Sequence, residues 1–226
     1  MLKKFLSIAL CIVITFTLFA CGSNSSISSD SSSSGGSNGN LKSQIENLNS
    51  LTDTIKFGTG TDNEPIEWYI LEDNGSEALL LSKYLLAYKG YNEEQKDITW
   101  ENCTIRKWLN SDFVNSSFTR NEQKSIIVTD IINNDNEYNV KGGNTTKDKL
   151  FLLSVDESKK YLSGKMKAEG KSNGGTIIPI NFYTWWLRSP GDAQDKAAYI
   201  DNGSEYFFGT YVYVEYGIRP AMWVKY

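Results

Sequence analysis

Two arginines occupy positions that strand patterning would give to apolar residues. Arg188 follows Trp185-Trp186-Leu187, and Arg219 follows Tyr216-Gly217-Ile218 and precedes Pro220. A guanidinium carries five N–H donors in a planar fork, so a pair of them is suited to gripping a ligand carboxylate or phosphate. A structural role is the competing reading: each arginine stacks on a tryptophan and pairs with an acid such as Asp192, Asp201 or Glu101. A buried pair of that kind holds register, and removing one partner costs about 3–5 kcal/mol. The aromatic side chains pose the same choice. Adjacent strand residues face opposite ways, so one of Trp185 and Trp186 belongs to the core and the other is available as a sugar-stacking platform or groove wall. Tyr206, Phe207, Phe208, Tyr211 and Tyr213 follow. If Val212 and Val214 point inward, Tyr211 and Tyr213 form an outward ring ladder. Such a ladder suits carbohydrate or peptide, because a ring offers large contact area at low entropic cost. Packing across strands is the alternative.

Composition narrows the remaining chemistry. The 226 residues contain no histidine and 3 cysteines. Without histidine there is no Ser-His-Asp or Cys-His catalysis, no HExxH metalloprotease site and no usual catalytic zinc site. Cys11 and Cys21 lie at the start of the chain, which leaves Cys103 alone in the body. Neither an internal disulfide nor a four-cysteine zinc site can form there. Cys103 sits at an expected helix start, where a thiol pKa is lowered; without a histidine or a second cysteine it reads as a small, half-buried packing residue. Asp130, Asp135 and Glu137 share one loop, and Asp192, Asp195 and Asp201 lie near another. They lack the spacing of a calcium loop and read as solvated acids, so no metal or cofactor is expected. A carboxylate pair for glycoside hydrolysis is defined by spatial separation, and the sequence singles out no pair. A formal net charge of −4 without a basic patch argues against nucleic acid.

These residues need elements to hold them. Leu41, Ile45, Leu48 and Leu51 fall at helical spacing, giving a short amphipathic helix over 41–54 that reads as a stalk. Ile55–Phe57, Ile66–Leu71 and Glu77–Ser82 read as strands, the last two joined by the hairpin signal Asp73-Asn74-Gly75-Ser76. Ile105, Trp108, Leu109 and Phe113 share one helix face. Thr119-x-x-Glu122 and Ser154-x-x-Glu157 are capping boxes opening two more helices. Residues 130–148 and 162–178 read as long loops. The remainder is strand-rich: Tyr183–Ser189 ended by Pro190-Gly191, then Lys196–Ile200, a turn at Asp201-Asn202-Gly203-Ser204, Glu205–Glu215 and Gly217–Val224. Strands, then two or three helices, then strands make an α+β fold with antiparallel sheets and long surface loops.

Residues 1–20 have signal-peptide anatomy, with Lys3 and Lys4 before an apolar run. The ending Leu18-Phe19-Ala20-Cys21 resembles the lipobox of bacterial lipoproteins. The resemblance implies a diacylglycerol on Cys21 and cleavage after Ala20, hence a membrane partner through the lipid. Residues 21–40 continue as a Ser/Gly-rich disordered tether, with a single folded domain over 55–226. There the ordered motifs WENCTIRKWLN (100–110), FLLSVDE (151–157), WWLRSPG (185–191) and YGIRPAMWV (216–224) resemble a domain-of-unknown-function family of exported Gram-positive proteins. Trp100, Arg106, Trp108, Pro190, Gly191, Gly217 and Pro220 are its structural signature here. More distantly, the Trp-rich strand, glycine hairpin and final Gly-x-Arg-Pro strand resemble C-type-lectin-like and formylglycine-generating-enzyme-like domains. That resemblance implies a C-type-lectin-like fold with paired terminal strands and two helices. It imports no chemistry, because the cysteines, the calcium-binding triplets and the disulfides of those families are missing.

The expectation is a lipid-anchored, extracytoplasmic binding module on the outer face of the cytoplasmic membrane. Its ligand is an envelope glycan or protein, met by Trp185, Trp186, Arg188, Tyr206, Tyr211, Tyr213 and Arg219. A carboxylate-based hydrolase of envelope polysaccharide and a purely structural or assembly module are the alternatives.

Overall fold

The first three strands fold into a meander in which the first alternates apolar and polar residues and the third is a continuous apolar run. Along the sequence run α1 (Ser37–Glu46), β1 (Thr54–Thr59), β2 (Pro65–Asp73), β3 (Glu77–Ser82) and β4 (Ala87–Gly90). A helical stretch follows: α2 (Thr104–Trp108), a π-helical turn over Leu109–Phe113, α3 (Val114–Ser117) and α4 (Arg120–Ser125). Then come β5 (Thr129–Ile131), β6 (Thr146–Asp148), α5 (Val155–Tyr161), β7 (Trp185–Pro190), β8 (Lys196–Asp201), β9 (Ser204–Tyr211), β10 (Glu215–Ile218) and β11 (Ala221–Lys225). This computed structural model describes residues 37–48, 50, 53–162 and 184–226. The expected signal sequence, Cys21, most of the tether and the 163–178 part of the second loop lie outside the described residues. No helix among the described residues is long and apolar enough to cross a membrane.

The architecture is α+β with mainly antiparallel sheets and few helices. One sheet has the order β1-β2-β3-β11, a second β4-β10-β7-β8-β9, and β5 pairs with β6 alone. β10 and β7 form the one parallel pair among the described residues, at Gly217 and Trp185. The hairpin signals act through their side chains. Asn74 Oδ1 accepts from the amides of Ser76 and Glu77, and Gly75 takes a φ of +89° that a side chain would resist. Both capping boxes form as the Thr-x-x-Glu and Ser-x-x-Glu spacings require, at Thr119–Glu122 and Ser154–Glu157.

Both faces of β7 are covered at its start, and that overturns two expectations. Trp185 and Trp186 face opposite ways as strand neighbours must, yet each is fully buried, so neither is a platform for a sugar. Trp185 packs beneath Arg219, whose guanidinium carbon lies 5.2 Å from the indole. Trp186 lies against Tyr91 and Tyr216 and donates its indole N–H to the Lys89 carbonyl at 3.0 Å. Arg219 is itself fully buried and donates from Nε to the Ser82 carbonyl at 2.8 Å, so it cannot meet a ligand from solvent.

Elsewhere the elements differ in detail. The helix expected as a stalk is docked, with Leu41 and Ile45 in the core and Gln44 bonding the Lys56 backbone in both directions. The long loop at 130–148 is stitched at both ends by β5 and β6. The strand expected over 205–215 breaks at a turn closed by Val214 N–H on the Tyr211 carbonyl. β11 pairs with β3 and not with β1, so the first and last strands share a sheet without touching.

Candidate functional site

The signature residues form the scaffold behind the site. Trp100 and Arg106 converge on Asp148, a buried carboxylate absent from the sequence reading. The Trp100 indole donates to Oδ2 at 3.0 Å, Arg106 Nε to Oδ1 at 2.7 Å and Thr146 Oγ1 to Oδ2 at 2.7 Å. This ties the helical stretch to β6 and so fixes one end of the 132–145 loop. Trp108 is half-buried against Phe113, with Lys89 Nζ 5.0 Å above its ring. Cys103 caps α2 but is fully enclosed, donates to the Trp100 carbonyl, and has its thiol pushed up to about 12 by burial. The desolvation outweighs the helix terminus, and the thiol is no nucleophile. Gly191 and Gly217 are needed for close approach: a Cβ at Gly191 would lie 2.4 Å from the Phe208 carbonyl oxygen, and one at Gly217 2.4 Å from Leu85. Pro220 accepts the Ser82 amide at 2.9 Å. Pro190 ends β7, its carbonyl accepting from the Asn136 amide at 3.1 Å.

Between the 132–142 loop, the start of α5, the end of β7 and β9 lies a cleft of about 550 Å³. One wall is Asn133, Asn134, Asp135, Asn136 and Glu137; the other is Asp156, Glu157, Lys159 and Phe207. Arg188 forms the floor and is 6% exposed. Its partner is Glu157, none of the three acids expected from sequence. Nη1 and Nη2 both bond the Glu157 carboxylate, the Nη2–Oε1 distance being 3.0 Å. Nη1 also donates to the Leu152 carbonyl at 2.9 Å and Nη2 to that of Ile132 at 3.3 Å. Glu157 is placed for this by its own capping box, where it accepts the Ser154 amide at 2.8 Å. One carboxylate therefore closes the α5 terminus and neutralises the floor. Arg188 Nε and Asn133 Oδ1 are buried without a hydrogen-bond partner.

The 132–142 loop is held in shape from within. Asn136 Nδ2 donates to the Pro190 and Gly191 carbonyls at 3.1 and 2.6 Å, while its Oδ1 accepts the amides of Tyr138 and Val140. Lys141 bonds Asp135 at 2.6 Å and, with the Gly142 amide, holds that carboxyl below the usual range. Exposed apolar side chains gather at the rim: Ile132, Tyr138 and Phe208, the last two with ring centroids 6.3 Å apart. Exposed rings grouped around a cavity mark a contact surface more than scattered ones do.

The three candidate tyrosines lie outside this cleft. Tyr206 is 38% exposed and stacks on Tyr199 at 4.9 Å and 1°, ending a row that runs back through Tyr216 to the buried Trp186. Tyr211 and Tyr213 are 42% and 48% exposed, with rings 6.0 Å apart and Val212 buried between them. The sequence reading missed the cleft's own aromatics, Tyr138 and Phe207, as site residues. Phe207 lay in a noted run, and Tyr138 carried no signal beyond its place in a long loop.

The sequence profile of a domain of unknown function, DUF6273, matches residues 75–226. The chain belongs to the DUF6273 family. The DUF6273 span begins in the β2–β3 turn and takes in the cleft, the Asp148 anchor and every signature residue; β1 and β2 precede it. No curated protein and no solved structure matches the chain.

Proposed function

We propose that this DUF6273 domain is a glycan-binding module, displayed at the cell surface of a Gram-positive bacterium by a diacylglycerol on Cys21. The observation that carries the reading is the cleft, where amide- and carboxylate-bearing side chains face Phe207 beneath a rim of Tyr138 and Phe208. Sugars present hydroxyl edges and C–H faces, which such walls satisfy by hydrogen bonding and stacking. Exposed Tyr206, stacked on half-buried Tyr199, and the exposed pair Tyr211–Tyr213 extend the stacking surface beyond the cleft. A C-type-lectin-like arrangement is supported by β1 and β11 sharing a sheet and by a long loop bordering the site; the β3–β11 pairing departs from that pattern.

Full-length protein should bind purified wall polysaccharide or spots on a glycan array, and Phe207→Ala should weaken that binding by about tenfold. Absence of binding to any glycan would sink the reading. A hydrolase is the second reading, because Glu137 and Asp156 line the same cleft. It is preferred if polysaccharide is cleaved and Glu137→Gln or Asp156→Asn abolishes turnover. For the anchor, Cys21→Ser should move the protein from the membrane fraction to the soluble one; retention in the membrane would refute lipidation.

A further inference from the structure

We infer that the cleft takes an uncharged, hydroxyl-rich saccharide unit and discriminates against polymers bearing phosphate or carboxylate. This rests on the glycan reading above and names the class of ligand within it. An arginine at the floor of a cleft ordinarily suggests an anion site. Here the anion is already supplied by the protein, because both terminal nitrogens of Arg188 bond Glu157. The carbonyls of Leu152 and Ile132 take further N–H groups. Arg188 Nε and Asn133 Oδ1 have no partner among the described residues but are sealed from solvent, so the floor offers an incoming anion no free guanidinium edge. The amides and carboxylates of the walls suit hydroxyls, which both donate and accept, whereas a phosphate or carboxylate only accepts.

The charges around the cleft agree. Asp135, Glu137, Asp156 and Glu157 line it against Lys159 and Arg188. Two of these acids have cationic partners, Asp135 with Lys141 and Glu157 with Arg188. Glu137 and Asp156 are left facing a polyanion with repulsion. Lys159, its ammonium 4.4 Å from the Phe207 ring centroid, keeps its charge, so Lys141, Lys159 and Arg188 leave one of the four acids unbalanced. Tyr138, exposed at the rim beside Phe208, is a further ring that a sugar face can meet.

Calorimetry of the full chain tests this with two probes: neutral hexose and N-acetylhexosamine oligosaccharides, and a polyglycerol phosphate. The neutral probe should bind with a Kd that changes less than about twofold between about 50 and 300 mM salt. Tyr138→Ala, at an exposed position that leaves the core intact, should weaken binding by about tenfold. Preferential binding of the phosphate polymer, weakening steeply with salt and lost in Tyr138→Ala, would overturn the inference while leaving a glycan site in the cleft. Neutral binding indifferent to Tyr138→Ala would overturn it by placing the ligand elsewhere. Binding of neither probe would remove both the inference and the glycan reading.

Discussion

Arg188 and Arg219 show how partner geometry, more than residue type, decides what a charged side chain can do. The two share a sequence context, a guanidinium at the end of a tryptophan- or glycine-led strand. One ends as a cleft floor with its charge balanced by Glu157, the other as a buried brace over Trp185. The ion pair of Lys83 with Glu67 permits a direct test of a charge interaction. Lys83 Nζ lies 2.7 Å from Glu67 Oε2, and this contact holds the Glu67 carboxyl below its ordinary value of 4.5. A carboxyl with a depressed folded pKa stabilises the protein above the unfolded value, and the contribution is lost as pH falls through the folded one. Urea midpoints measured from about pH 7 down to about pH 3 should therefore drop below pH 4.5, and Glu67→Gln should flatten that drop. An unchanged profile in the variant would show that other carboxylates govern acid stability.

At the scale of elements, the caps are the best place to test local stability. Thr119 and Ser154 each accept the amide of the glutamate three residues on. Thr119→Ala should lower the free energy of unfolding by about 1 kcal/mol in a denaturant titration. Ser154→Ala should do the same and should also loosen Glu157, so its effect ought to exceed that of Thr119→Ala. Equal effects would mean that the α5 cap contributes nothing to the Arg188 pair. These caps, the Asp73–Ser76 turn and the strand alternation were legible in the sequence because each is a local pattern of a few residues. The cleft was not, because it joins residues 133, 157, 188 and 207, which only the tertiary fold brings together. The same limit explains the misassigned acid. Asp192, Asp201 and Glu101 are reasonable partners by strand and turn proximity, whereas Glu157 reaches Arg188 only once α5 lies against β7. Trp185 and Trp186 misled for a related reason: period-two alternation gives the face, and the number of layers covering that face is a property of the whole sheet.

Over the whole molecule, the segment from Glu215 to Lys225 joins the two large sheets. β10 sits inside the second sheet between β4 and β7, and β11 extends the first beside β3. Between them Arg219 and Pro220 both contact the Ser82 backbone, at 2.8 and 2.9 Å. Arg219→Ala should remove the brace over Trp185 and leave the Ser82 carbonyl without its donor, lowering stability by at least about 2 kcal/mol in urea unfolding. A loss below about 0.5 kcal/mol, the usual range of surface substitutions, would refute that role.

The interior position of β10 also dictates an order of events. β4 and β7 cannot join one sheet until β10, the strand between them, exists, and that strand lies more than half the chain beyond β4. The loop to be closed is long, and its entropy must be met before the pairing gives anything back. The β1-β2-β3 strands and the β7-β8-β9 strands pair with sequence neighbours, but neither large sheet is complete until β10 and β11 have been made. Until then Trp185 lacks Arg219 above it and Trp186 lacks Tyr216. Through most of synthesis both sheets therefore stay incomplete, a state that a protease or chaperone can reach.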